Sequence, residues 1–153
     1  MLRISKLSDY ATVLLTTMAE QHSHAVNAVR LAERTGLAKP TVTKLLKLLA
    51  ADGLLQSIQG RHGGYQLAIE PADISIRRII EAVDGPIAIT ECSHTTGDCG
   101  IEQTCHSRGH WQQINRAVRQ ALADVKLEQL AQEAARPETI VMQRMAPLRS
   151  EVG

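Results

Sequence analysis

Two short helical patterns separated by a tight turn, then two alternating strands around a glycine-rich hairpin, restrict this chain more than any other feature. Asn27 is a plausible N-cap for a helix over Ala28 to Thr35, and Gly36 ends it, with Leu37 as an apolar anchor inside the turn. Pro40 suits the first position of the next helix, where a missing amide hydrogen does no harm. Lys39 is a poor N-cap, so this helix start relies on packing. Val42, Leu45, Leu46 and Leu49 form the expected buried stripe, Lys39, Thr41, Thr43, Lys44 and Lys47 lie largely off it, and Gly53 terminates the helix. Leu54 to Gln59 and Tyr65 to Ile69 alternate as strands, and Gly60-Arg61-His62-Gly63-Gly64 joins them. A helix-turn-helix followed by such a hairpin is the pattern of a winged helix.

Flanking segments complete a mainly α reading with a small β wing. A first helix is expected from Ser8 or Leu7 to about Glu20, with Val13, Leu14, Thr17 and Met18 at helical spacing. Ser75 can cap a helix over Ile76 to Val83, closed by Asp84-Gly85-Pro86. A longer helix starts near Cys105 or Arg108 and carries Trp111, Ile114, Val118, Ala121 or Leu122, and Val125 as an apolar repeat. Too little chain remains to cover that face, which predicts a partner subunit. Leu127 and Leu130 suggest a last turn or two. The expected organisation is a winged helix-turn-helix over 1–85, a cysteine segment over 86–105, a dimerisation helix and final turns over 106–135, and a weakly ordered tail over 136–153.

Charge divides along the same line. From Arg30 to Arg78 eight Lys/Arg stand against four Asp/Glu, a surplus of four. From Ile79 to His110 only Arg108 opposes Glu81, Asp84, Glu91, Asp98 and Glu102, a net of −4. The basic half suits phosphates, and the cysteine half should face elsewhere. No run is long enough to cross a bilayer, and the opening residues lack a cleavage signature. An odd number of cysteines without a secretory signal favours a reducing cytoplasm. No nucleophile–base arrangement or metalloprotease helix motif is visible, so an enzyme is not expected.

Cys92, Cys99 and Cys105 are the only cysteines, with six and then five residues between them. This is not the close pairing of a zinc ribbon. Soft thiolates favour iron–sulfur clusters or zinc over calcium and magnesium, and common clusters need four protein ligands. Local candidates for the fourth are His94, Asp98, Glu102, His106 and His110, and a remote one is Asp9.

The chain resembles the winged-helix iron–sulfur transcriptional regulators of the IscR and NsrR type. The resemblance rests on Ser5-Lys6-Leu7-Ser8-Asp9-Tyr10-Ala11, on Ala32-Glu33-Arg34-Thr35-Gly36-Leu37 and on Leu54-Leu55-Gln56-Ser57. It continues through Gly60-Arg61-His62-Gly63-Gly64-Tyr65-Gln66-Leu67, Ile79-Ile80-Glu81-Ala82-Val83-Asp84-Gly85, the three cysteines and Trp111. The subgroup it most resembles regulates the SUF cluster-assembly operon of proteobacteria. The resemblance implies that Cys92, Cys99 and Cys105 ligate a 2Fe-2S or 4Fe-4S cluster. IscR-like proteins add a histidine three residues after the last cysteine, where this chain has Arg108. NsrR-like proteins use an aspartate of the first helix donated across a dimer, and Asp9 matches it.

A homodimer would then present two recognition helices to double-stranded operator DNA. Lys39, Thr41, Thr43 and Lys44 would meet bases or phosphates, Lys47 phosphate, and Arg61 and His62 the wing contacts. The expected function is repression of iron–sulfur assembly genes by the cluster-loaded dimer. Alternatives are a zinc-stabilised regulator, a nitric-oxide- or redox-sensing regulator, and, from another class, a small redox protein.

Overall fold

A computed structural model describes residues 4–20, 24–60, 63–90, 105 and 107–135. The helices are α1 (Lys6–Ala19), α2 (Ala28–Thr35), α3 (Lys39–Ala51), α4 (Ile76–Asp84), α5 (Arg108–Asp124) and α6 (Leu127–Ala134). One two-stranded sheet, β1 (Leu55–Ile58) with β2 (Gly64–Leu67), and a 3-10 turn at Pro71–Asp73 separate α3 from α4.

The first helix begins earlier than its sequence pattern suggests. Ser5 is the cap, its hydroxyl accepting from the Ser8 amide at 3.1 Å. Ser8 sits inside the first turn instead, fully buried, and donates its hydroxyl to Asp84 Oδ2 at 2.7 Å. Ser5 donates to the other oxygen of Asp84 at 2.9 Å, so one carboxylate ties the start of α1 to the end of α4. The buried stripe is Ser8, Ala11, Leu14, Leu15 and Met18. Val13, expected on that face, is 40% exposed, because the helical repeat that aligns Ala11, Leu14, Leu15 and Met18 turns position 13 to the other side.

The helix pair follows the sequence closely. Asn27 accepts from the Arg30 amide at 2.9 Å, and Gly36 closes α2 at φ +70°, a left-handed turn that favours glycine. Ala38, not Lys39, occupies the cap position of α3, and Pro40 is the second helical residue rather than the first. Either position tolerates proline, since both lie among the amides without intrahelical partners. No side chain caps this start, so packing holds it: Val42, Leu45, Leu46 and Leu49 are all fully buried.

Leu55 pairs with Leu67 and Ile58 with Gly64 in the antiparallel wing. The strands are shorter than their alternation suggested. A further backbone segment joins the wing, because Val26 and Tyr65 exchange both amide-to-carbonyl bonds at 2.9 Å. This close approach explains Gly64: a Cβ there would lie 2.5 Å from the Val26 carbonyl oxygen and 2.9 Å from the Asn27 nitrogen. Gly64→Ala should therefore push the wing off the segment before α2 and cost about 1–3 kcal/mol of stability. Urea unfolding measures this, and an unchanged midpoint would contradict the close packing.

Leu14, Leu15, Leu31, Leu45, Leu46, Leu49, Leu54, Ile74 and Ile79 pack into a single aliphatic core. Leu127 of α6 belongs to it and is fully buried. The bend between α5 and α6 is pinned by the Ile76 amide donating to the Val125 carbonyl at 3.0 Å and the Leu127 amide to the Ile74 carbonyl at 2.9 Å. Hence the last turns, grouped with the dimerisation helix on sequence grounds, return to the winged-helix core. The tail from residue 136 lies outside the described residues.

Candidate nucleic-acid interface

The outward face of α3 gathers Lys39, Thr43, Lys44 and Lys47 of the candidate residues, while Thr41 does not line their shared depression. Lys39, Lys44 and Lys47 are exposed and Thr41 and Thr43 half-buried. Lys39, Pro40, Thr43, Lys44 and Lys47 line one shallow depression. Spacing explains the grouping: residues 39, 43 and 47 recur every four positions, with 44 beside them, opposite the buried leucines. Thr43 donates its hydroxyl to the Lys39 carbonyl at 2.9 Å, which fixes its rotamer and leaves oxygen lone pairs as acceptors.

Arginines elsewhere are engaged differently. Arg34 pairs with Glu20 at 2.7 Å, Arg77 and Arg119 converge on Glu81 at 3.1 and 3.0 Å, and Arg78 reaches Asp52 at 3.6 Å. Among the described residues Lys39, Lys44 and Lys47 have no carboxylate within ion-pair distance. Their charge is therefore not neutralised internally and is available to a polyanion. Arg61 and His62, the expected wing contacts, lie outside the described residues.

The second candidate set is divided. Cys92, Cys99, His94, Asp98, Glu102 and His106 lie outside the described residues. Cys105 is a free, half-buried thiol just before α5, and its carbonyl accepts from the Arg108 amide at 3.4 Å. Asp9 is exposed in the first turn of α1, while Asp84 nearby is occupied by two serine hydroxyls. His110 is exposed on α5. No group of three His, Cys, Asp or Glu side chains that could hold a metal occurs among the described residues. Even so, an accessible carboxylate and a free thiol beside two further cysteines in sequence are a donor set suited to an iron–sulfur centre.

Sequence reasoning missed three residues that shape this region: Asp84 between the serines, Glu81 between two arginines, and Asn115. Asn115 is 5% exposed on a helix whose Trp111 and Ile114 are 39% and 45% exposed. Nothing in the sequence set it apart, because Gln112, Gln113 and Gln120 carry amides on the same helix.

Fold and basic helix together define a winged helix-turn-helix protein that binds duplex DNA. The chain belongs to the Rrf2 family, described as "Iron-dependent Transcriptional regulator", whose profile matches residues 4–133. It is 27% identical over 133 residues to the HTH-type transcriptional regulator IscR of Vibrio atlanticus, covering 86% of this chain and 76% of that one. It is 27% identical over 131 residues to the regulator NsrR of Shouchella clausii, covering 84% and 88%. The solved structure of CymR, the global cysteine regulator of Bacillus subtilis, superposes with a TM-score of 0.69 at 29% identity, covering 87% of this chain and 98% of that one. These relatives are transcriptional regulators rather than enzymes. No helix among the described residues is long and apolar enough to cross a membrane.

Proposed function

We propose that this chain is an iron–sulfur-dependent transcriptional regulator that acts as a homodimer and represses cluster-assembly genes of the SUF type. The observation that carries the reading is an unneutralised lysine face on α3 in a chain whose sequence has three cysteines between the segments that form α4 and α5. Cys92, Cys99 and Cys105 would hold the cluster, and Asp9 would complete the set from the first turn of α1. A bound cluster would supply ligation that responds to iron supply and oxidation.

The chain's own residues do the rest. Lys39, Lys44 and Lys47 meet phosphates, Thr41 and Thr43 base edges, and Arg61 and His62 extend the contact through the wing. Trp111 and Ile114 on α5 and Val125 at its C-cap keep 39%, 45% and 40% of their surface exposed, which suits burial against the same helix of a second copy. Two heads so joined favour an operator with approximate inverted repeats. Asp9 stands four residues from the Ser5 cap, so ligation there would link the cysteine segment to the helix tied to α4 through Asp84. Such a link acts as a switch only where the two states differ in affinity for DNA.

Operator affinity of cluster-loaded and cluster-stripped protein, compared at fixed salt, tests the reading. The loaded form should bind about 5–150-fold tighter, the range of ordinary coupling. Asp9→Ala should lose visible absorption and that difference together. Equal affinities of the two wild-type forms would remove the sensing role, and zinc without visible bands would identify the zinc-stabilised alternative.

A further inference from the structure

An amphipathic helix is expected to bury its apolar residues and expose its amides, yet α5 does the reverse at one place. Asn115 is its single buried residue, flanked by exposed Ile114 and Arg116. A carboxamide buried without partners would be costly, and this one has two. Nδ2 donates to the Ile87 carbonyl at 3.3 Å, and Oδ1 accepts from the Ile89 amide at 3.2 Å. Those backbone groups lie two residues apart, so the side chain replaces the partner that a neighbouring strand would provide.

The bonded stretch ends three residues before Cys92. At the far side of the cysteine segment, the Cys105 carbonyl accepts from Arg108 and the chain runs directly into α5. Both flanks of the segment are thereby referenced to one helix, the first through Asn115 and the second through chain continuity. Glu81 bridges Arg77 of α4 and Arg119 of α5, four residues beyond Asn115, and joins that helix to the DNA-reading head.

We propose that Asn115 is a positioning residue for the thiol site: it holds the leading flank of the cysteine segment against α5 and so carries the ligation state into that helix. The inference rests on the cluster-sensing reading above. A residue that merely fills space would be replaced by leucine, which has the same branched outline, with no effect on sensing. A residue that positions ligands would lose the coupling while the fold survives. Supporting partners of this kind alter metal-site affinity by about 10–100-fold when removed.

The experiment compares wild type, Asn115→Leu and Asn115→Gln, each reconstituted anaerobically with iron and sulfide. In Asn115→Leu the visible absorption should decay in air at least about tenfold faster. The ratio of operator affinities, loaded against stripped, should fall toward one, with stripped-form affinity unchanged. Asn115→Gln, which keeps the carboxamide, should recover part of both. In the wild type, hydrogen exchange at the Ile89 amide should slow on loading while Leu14 and Leu15 stay as they were, a reading that needs no variant. An unchanged Ile89 amide, or a leucine variant with wild-type decay and wild-type affinity ratio, overturns the role of Asn115. Wild-type protein that takes up neither iron nor sulfide overturns the sensing reading itself, a separate result.

Discussion

Alanine at Lys39, Lys44 and Lys47 together should lower operator affinity on the order of a hundredfold per bound head at about 0.15 M salt. The same substitution should flatten the plot of log affinity against log salt by about three units per head, since each phosphate contact contributes about 0.9. The three side chains are exposed, lie on one face of α3 and have no carboxylate partners among the described residues. Removing them therefore costs no internal ion pair, and Val42, Leu45, Leu46 and Leu49 remain in the core beneath. Thermal unfolding should shift little, while specific and non-specific duplexes weaken together. Filter binding or anisotropy across a salt series checks the result. An unchanged slope would place the phosphate contacts elsewhere.

Leu127→Ala should destabilise the protein by about 2–5 kcal/mol, the cost of removing a fully buried leucine from a rigid core. Native domains hold only about 5–15 kcal/mol in all, so this one side chain is decisive. Leu127 lies with Leu14, Leu15 and Ile74 in the same core, and its amide is bonded to the Ile74 carbonyl. Denaturant unfolding should stay a single transition with a lower midpoint. Leu130→Ala should cost less, because that residue is only half-buried. A loss below about 1 kcal/mol for Leu127→Ala would detach α6 from the DNA-reading domain.

The sequence reading succeeded where local rules decide the outcome. Asn27, Gly36, Gly53 and Ser75 mark helix limits through short-range hydrogen bonds and backbone freedom, and each stands at a helix boundary. The stripe of α3 was equally visible, because four buried positions at helical spacing admit one face. The rest depended on distant partners. Val13 looked like a core residue, but the face of α1 that packs is the one carrying Ala11, Leu14, Leu15 and Met18. Leu127 looked like the end of an appendage, since nothing local announces the pairing of residues 125–127 with 74–76. Asn115 went unnoticed, because its role depends on Ile87 and Ile89, more than twenty residues away. For the candidate site, the lysine face was legible as one surface, whereas its freedom from carboxylates required the whole fold. Asp9 was singled out through resemblance rather than spacing, and its exposure is compatible with that role.

The paired bonds between Val26 and Tyr65 have a consequence for operator choice. They fasten strand β2 of the hairpin to the residues just before α2, so the described part of the hairpin and the two-helix reader are joined by backbone bonds. If each head reads a half-operator as proposed, the distance it spans would be set by this joined unit. In the proposed homodimer, adaptation to inserted or deleted base pairs would come from how the two heads are spaced, and the length between half-operators would become the parameter that sorts promoters.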